Sequence, residues 1–305
     1  MSSITTFGRC YRRFLRCINI VAYLPNTPAY YITSKISRYC FSPIQAEQDN
    51  FKNSLISVGF KFSELKWRTL WQQRLRDHAL FCLHIFKQVH FNKLWTQKHI
   101  TVDSQSLQTL LDKHNSVLFL TYHHAFHHAL CAALGASGLK LNALAAPEES
   151  STIFNFIGRY IHTLHSGCRQ YFNGGDYLFF DNTMRGARLT KHALTEGGVL
   201  ISLNDFSSSS NTKIPIKFFN RLLYPPIGSV KLACKLNIPI VTGAMIYNGS
   251  QHYDIIFQQL DTAQDPAAIM RDYMVFLENL TQQHPVFWDG WNWFNTFQLT
   301  QPTHD

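Results

Sequence analysis

The sequence predicts an α/β fold: a mostly parallel central sheet flanked by helices, with an N-terminal helical segment in front of it. Three observations lead there. Short apolar runs at 115–121, 139–144, 199–203 and 238–246 alternate with longer stretches of helical period. The runs are predominantly apolar, as strands buried on both faces require. A chain of 305 residues with 46% apolar and 14% aromatic residues can also supply a sizeable core.

The front of the chain stands apart. Residues 1–43 form a basic segment, with Arg9, Arg12, Arg13, Arg16, Lys35 and Arg38, and no acid appears before Glu47. Such a balance suits an anionic surface. The apolar stretch 17–24 is too short to span a bilayer, which needs about 20 residues. Arginines interleaved with Phe7, Tyr11, Phe14 and Leu15 predict a helix lying in the membrane interface. The competing reading is a basic helix packed on the core. No small-residue cleavage site follows 17–24, which argues against a signal peptide.

From 44 to 305 the chain reads as one α/β domain. Two or three helices fill 44–90. Residues 103–113 make a capped amphipathic helix, with Asp103 or Ser104 as N-cap. A strand at 115–121 leads into a histidine-rich helix reaching about Leu134. A strand at 139–144 and a helix at 150–164 follow. Helix 183–195 ends at Gly197-Gly198, and strand 199–203 runs into Asn204-Asp205 and the serines 207–210, a mobile loop. After 214–219 come helix 228–236, strand 238–246, an edge strand at 253–258 and a closing helix at 266–282. The tail carries Trp288, Trp291 and Trp293.

Seven cysteines are scattered with no CxxC pair, so neither a zinc ribbon nor a disulfide framework is indicated. Reduced, mostly buried thiols in a cytosol-facing protein follow. Net charge is +9, but the basic residues do not recur with stacking aromatics and no recognition motif appears, so nucleic acid is not expected as a partner.

The chemistry concentrates at one place. His123, His124, His127 and His128 follow directly on the apolar run 115–121. Strand ends of α/β sheets are where ligands and catalytic groups collect, and histidine exchanges a proton near neutral pH. If the segment is helical, His123 and His127 share one face, and His124 and His128 another. Three readings stay open: a general base acting on a hydroxyl or amine, an HxxxH metal pair, or structural histidines. No acid lies within the cluster, so the HExxH signature is absent. Asn204-Asp205 also follows an apolar run, so Asp205 is placed to face the histidines and orient one, or to cap a turn. Arg185 and Arg188, one turn apart, offer a site for phosphate or carboxylate, or a solvated face.

Several segments in this order resemble the lipid A biosynthesis acyltransferases, the late lauroyl/myristoyl transferases of the lysophospholipid acyltransferase superfamily. They are Arg185-Gly186-Ala187-Arg188, the run GGVLISLND over 197–205, IKFFNR over 216–221, Gly228, Leu232-Ala233, IPIV over 238–241 and HPVFW over 284–288. The likeness covers about 44–294. It implies a histidine general base with an acid five positions on, carrier-protein or coenzyme A thioesters as donors, and lipid acceptors.

By position His123 matches the family histidine, while the acid position falls on His128, and a shift to His124 leads to Ala129. The resemblance therefore implies His123 as base, oriented by His128 or by Asp205. His124, His127, Arg185, Arg188 and Asn204 are expected to contact substrate. No metal or redox cofactor is implied; the donor is a phosphopantetheine thioester on an acyl or aminoacyl carrier protein. Some relatives transfer glycine to lipid A in polymyxin resistance, and this divergent chain would fit that branch. The implied place is the cytoplasmic face of the inner membrane, held peripherally. The opposing reading is a degenerate member that binds lipid or carrier protein without turnover.

Overall fold

The computed structural model describes residues 2–40, 45–87, 93–145, 158–179, 183–207, 214–249 and 251–299. The helices that precede the sheet are α1 (Ser2–Ala22), α2 (Asn26–Cys40), α3 (Gln45–Ser57), α4 (Glu64–Lys87) and α5 (Lys93–His99). Next come β1 (Ile100–Val102), α6 (Ser104–His114), β2 (Ser116–Thr121), α7 (His127–Ala136), β3 (Leu141–Ala145), α8 (Gly158–Arg169) and β4 (Tyr177–Phe179). The second half contains α9 (Thr183–Glu196), β5 (Gly198–Leu203), β6 (Ile216–Phe218), β7 (Arg221–Leu223), α10 (Gly228–Lys235), β8 (Ile240–Gly249), β9 (His252–Leu260), α11 (Pro266–Gln283) and β10 (Gln298–Leu299).

The chain is α/β, as predicted. The main sheet has seven strands in the order β1-β9-β8-β2-β5-β3-β4. β8, β2, β5, β3 and β4 are parallel, and β9 runs antiparallel to β8. The segment 253–258, expected at an edge, is instead covered on both sides. Three residues of β1, too few to show a period, pair parallel with β9 and form that edge. A second sheet of β10, β7 and β6, antiparallel throughout, takes up residues 216–218, 221–223 and part of the tail.

Strand side chains alternate between two cores, as their period of two demands. Val117, Phe119, Val199 and Ile201 face the layer built by α1, α4, α7 and α8; Leu118, Leu120, Tyr122 and Leu200 face α9, α10, α11 and the tail tryptophans. Between α9 and β5 the glycine pair makes a close approach. Gly198 has φ +98, and a Cβ there would lie 2.6 Å from the Lys140 carbonyl oxygen of the neighbouring strand. Asp103 caps α6, its carboxylate accepting from the Ser106 backbone N–H at 3.1 Å. The helix expected at 150–164 is seen from Gly158 on. Its earlier part, residue 44, residues 88–90 and serines 208–210 lie outside the described residues.

α1 and α2 belong to the first of these cores. Phe14, Leu15, Ile18, Val21 and Ala22 of α1 are buried in it with α4, and Tyr11 is half-buried against His78. The apolar face expected to enter a membrane interface is thus turned into the protein, because α4 offers it a matching apolar face. Side chains of Phe7, Arg9, Arg12 and Arg38 lie outside the described residues. Among the described residues no helix is long and apolar enough to cross a membrane.

Candidate active site

β2 and β5 run parallel in a register that pairs Ser116 with Gly198 and, at their carboxyl ends, Thr121 with Leu203. Two residues beyond that last pair stand His123 and Asp205. Strand register therefore sets side by side two groups 82 positions apart in the chain.

The contact is bidentate. His123 Nδ1 lies 2.7 Å from Asp205 Oδ1, and the His123 backbone N–H donates to Oδ2 at 2.9 Å. A carboxylate only accepts, so Nδ1 carries the proton and Nε2 is left as the basic nitrogen. Nε2 has no hydrogen-bond partner among the described residues, and a third of the His123 side chain is exposed. Asp205 itself is fully buried. Its Oδ2 also accepts from the Trp288 indole N–H at 2.6 Å.

Electrostatics follow from this geometry. Burial pulls the His123 imidazole down, but the Asp205 charge, the hydrogen bond to it and nearby Asp289 outweigh that, so His123 sits above the ordinary histidine value. Burial pushes the Asp205 carboxyl up, yet the His123 charge and hydrogen bond, the indole N–H and the backbone N–H hold it below the usual carboxylate range. The pair favours imidazolium beside carboxylate, the charge state a general base reaches after taking a proton.

Tyr273 of α11 pins both strand ends. Its hydroxyl donates to the Thr121 carbonyl at 2.7 Å and accepts from the Asn204 N–H at 3.3 Å. Tyr122 stacks on it, ring centroids 4.5 Å apart. The tail closes the other side: the Asp289 N–H donates to the His123 carbonyl at 2.9 Å, and His124 bridges to Trp288. From α4, Arg74 donates to the carbonyls of Trp288 at 3.2 Å and Asp289 at 3.5 Å. Phe206 and Trp293 stand edge-on to the His123 ring, at 5.8 and 5.5 Å between centroids. Trp288, Tyr273 and Arg74 escaped the sequence reading, since all three act through other residues. The tryptophan in the tail segment 284–288 was the one available signal.

The other sequence candidates fare differently. α7 begins only at His127, so His123 and His124 lie in the connection before it and the expected sharing of helix faces does not arise. His128 does not orient His123: its Nδ1 is hydrogen-bonded to the Tyr177 hydroxyl at 3.3 Å, and its ring lies near His165. His124 is fully buried and stacked on Phe287 at 4.7 Å, so it is not placed to contact substrate. His127 is half-buried, its ring 6.0 Å from that of His123, and its Nδ1–H donates to the His124 carbonyl at 2.6 Å. Burial first, then neighbouring histidines, keep the three neutral: His127 is lowered to about 4, and His124 and His128 fall well below the ordinary value.

Asn204 is likewise committed elsewhere. It is buried, accepts from Ser202 Oγ at 2.6 Å and donates to the Pro226 carbonyl, tying β5 to the loop before α10. Arg185 and Arg188 are exposed near the start of α9, whose N-terminus follows β4 at the carboxyl edge that holds His123. Among the described residues no group of three or more His, Cys, Asp or Glu side chains is arranged to hold a metal ion. What the arrangement can do is abstract a proton at Nε2 and stabilise the resulting charge through Asp205. Comparison of the chain with family models and with curated proteins returned no match.

Proposed function

We propose that this chain is a membrane-associated transferase with His123 as general base. It moves an acyl or aminoacyl group, glycyl among the latter, from a carrier-protein thioester to a hydroxyl of lipid A or a related glycolipid. The observation that carries this reading is the buried carboxylate of Asp205 on His123 Nδ1. The sequence resemblance demands an acid for the histidine and lacks one at the motif position; Asp205 supplies that charge from the adjacent strand.

Nε2 takes the acceptor hydroxyl's proton as the oxygen attacks the thioester carbonyl. The C–S bond then breaks, and the carrier thiolate leaves with the proton from Nε2. Asp205 stays ionised throughout and offsets the imidazolium. The exposed Arg185 and Arg188 are suited to an acceptor phosphate or the donor's phosphopantetheine. The protein works at the cytoplasmic face of the inner membrane without spanning it. The Asp205 contact supports turnover over the binding-only alternative, which rests on the missing motif acid.

The test is mass spectrometry of lipid A from a deletion strain complemented with the parent gene or with His123→Ala. The parent restores a mass increment matching an acyl or aminoacyl group, and His123→Ala does not, although its circular dichroism matches the parent. An increment restored equally by His123→Ala removes the histidine from the mechanism. No increment with the parent removes lipid A as acceptor.

A further inference from the structure

The turn between α3 and α4 shows more apolar surface than a soluble turn needs. Leu65 is 76% exposed and Ile56 48%. Between them Phe60 and Phe62 lie half-buried, rings 5.4 Å apart, in a groove floored by Trp67. The surrounding charge is one-sided. From 52 to 68 the chain carries Lys52, Lys61, Lys66 and Arg68 against the single carboxylate of Glu64. Glu64 is itself paired with Lys52 at 3.1 Å and lies 3.7 Å from Arg68, which leaves Lys61 and Lys66 unopposed within that stretch. Apolar side chains ringed by cations suit an anionic lipid surface.

Position adds to composition. α3 is fastened to the tail that walls the active site: Ser54 Oγ donates to the Trp291 carbonyl at 3.1 Å, and Asn295 Nδ2 donates to Ser54 Oγ at 3.1 Å. In α4, Leu65 precedes the Arg74 that holds Trp288 and Asp289 by nine residues, roughly 13 Å of helix. The turn therefore stands beside the carboxyl edge where His123 opens. A second exposed apolar group, Ile20 and Tyr23 at the α1–α2 elbow, lies at the far end of α4. There Lys87 Nζ donates to the Leu24 carbonyl at 2.8 Å, thirteen residues or about 20 Å beyond Arg74.

We infer that the α3–α4 turn, and not the N-terminal segment, is the surface by which this protein docks on an anionic membrane, with Ile56 and Leu65 inserted and Lys61 and Lys66 at the headgroups. This rests on the lipid-acceptor reading, because docking there sets the membrane beside His123.

Co-sedimentation with vesicles of phosphatidylglycerol and phosphatidylcholine, against vesicles of phosphatidylcholine alone, tests it on the full chain. The parent binds the anionic vesicles, and binding weakens as salt rises from 0.1 M to about 1 M. Ile56→Glu/Leu65→Glu partitions at least about tenfold less, while Ile20→Glu/Tyr23→Glu binds like the parent. Circular dichroism checks that both are folded, and Lys61→Gln/Lys66→Gln, which leaves the apolar groups intact, loses the anionic preference. Loss confined to the elbow variant overturns the inference, as does a parent that ignores anionic vesicles. Unchanged binding by the turn variant overturns it too; transfer lost alongside would assign the turn to a protein partner. Product formed in detergent without vesicle binding sinks the docking surface alone. Docking at this turn with no lipid product upholds the surface and sinks the transfer reading.

Discussion

Asp205 takes three N–H donors on two buried oxygens, so its charge is satisfied even when His123 is neutral. Two outcomes follow for Asp205→Asn. Transfer falls by roughly 10²- to 10⁴-fold, the span for losing general-base assistance or the orienting carboxylate of a serine-protease triad. The rate also changes its pH profile. His123 must be neutral to accept a proton, so the parent rate rises with pH through a midpoint above the ordinary histidine value of about 6.5. Without the carboxylate that midpoint moves down. Single-turnover rates across pH 5–9 read both effects, and an unmoved midpoint would detach Asp205 from His123. Stability carries the same signature. The lowered Asp205 contributes above about pH 4 and loses its contribution as pH falls through the folded value. The raised His123 contributes below about 6.5 and loses its contribution as pH rises through its own. The pair's stabilisation is full between those limits, and denaturant midpoints of parent and Asp205→Asn should differ most there.

Among the elements, the tail is the one that completes the site. Trp288→Phe removes the indole donor and leaves Oδ2 of a buried carboxylate with one N–H. A loss of about 1–3 kcal/mol is expected in urea unfolding, with transfer reduced and His123→Ala-like inactivity not reached. Gly290 tests the same contact from behind. A Cβ there would fall 2.0 Å from Cε2 and Cζ2 of the Trp288 ring, so Gly290→Ala must disturb the indole that donates to Asp205. It should cost about 1–3 kcal/mol by overpacking and lower transfer with it. Full activity in Gly290→Ala would show the indole dispensable. Strand ends at 121 and 203 were legible from their apolar runs, and so were His123 and Asp205 as strand-end groups. The histidine segment was misread as helical from its start. Its four-residue spacing fits a helix equally well whether the first turn begins at His123 or at His127, and the strand's own exit consumes the intervening residues.

Across the whole molecule, the N-terminal helices are part of the folded core. Deleting residues 1–24 strips Phe14, Leu15 and Ile18 from the face they share with α4, each such burial contributing about 1.5–3 kcal/mol. Against a total stability of about 5–15 kcal/mol, the truncated chain should be recovered unfolded or aggregated rather than folded and released from membranes. Circular dichroism decides this, and a native spectrum from the truncated chain would restore the segment as a separable anchor.

By itself the sequence determined the α/β class, the parallel heart of the sheet and two residues of the candidate site, because apolar runs and their spacing express burial directly. Tertiary structure alone decided which acid meets His123. The offset of 82 between β2 and β5 is a property of strand pairing, and pairing depends on how distant segments pack. It decided likewise that α1 faces α4: an amphipathic helix carries the same pattern whether its apolar side meets lipid or protein. The third donor to Asp205, from a tail tryptophan 83 positions away, exists only because α11, the tail and Arg74 are packed around the carboxyl ends of those two strands.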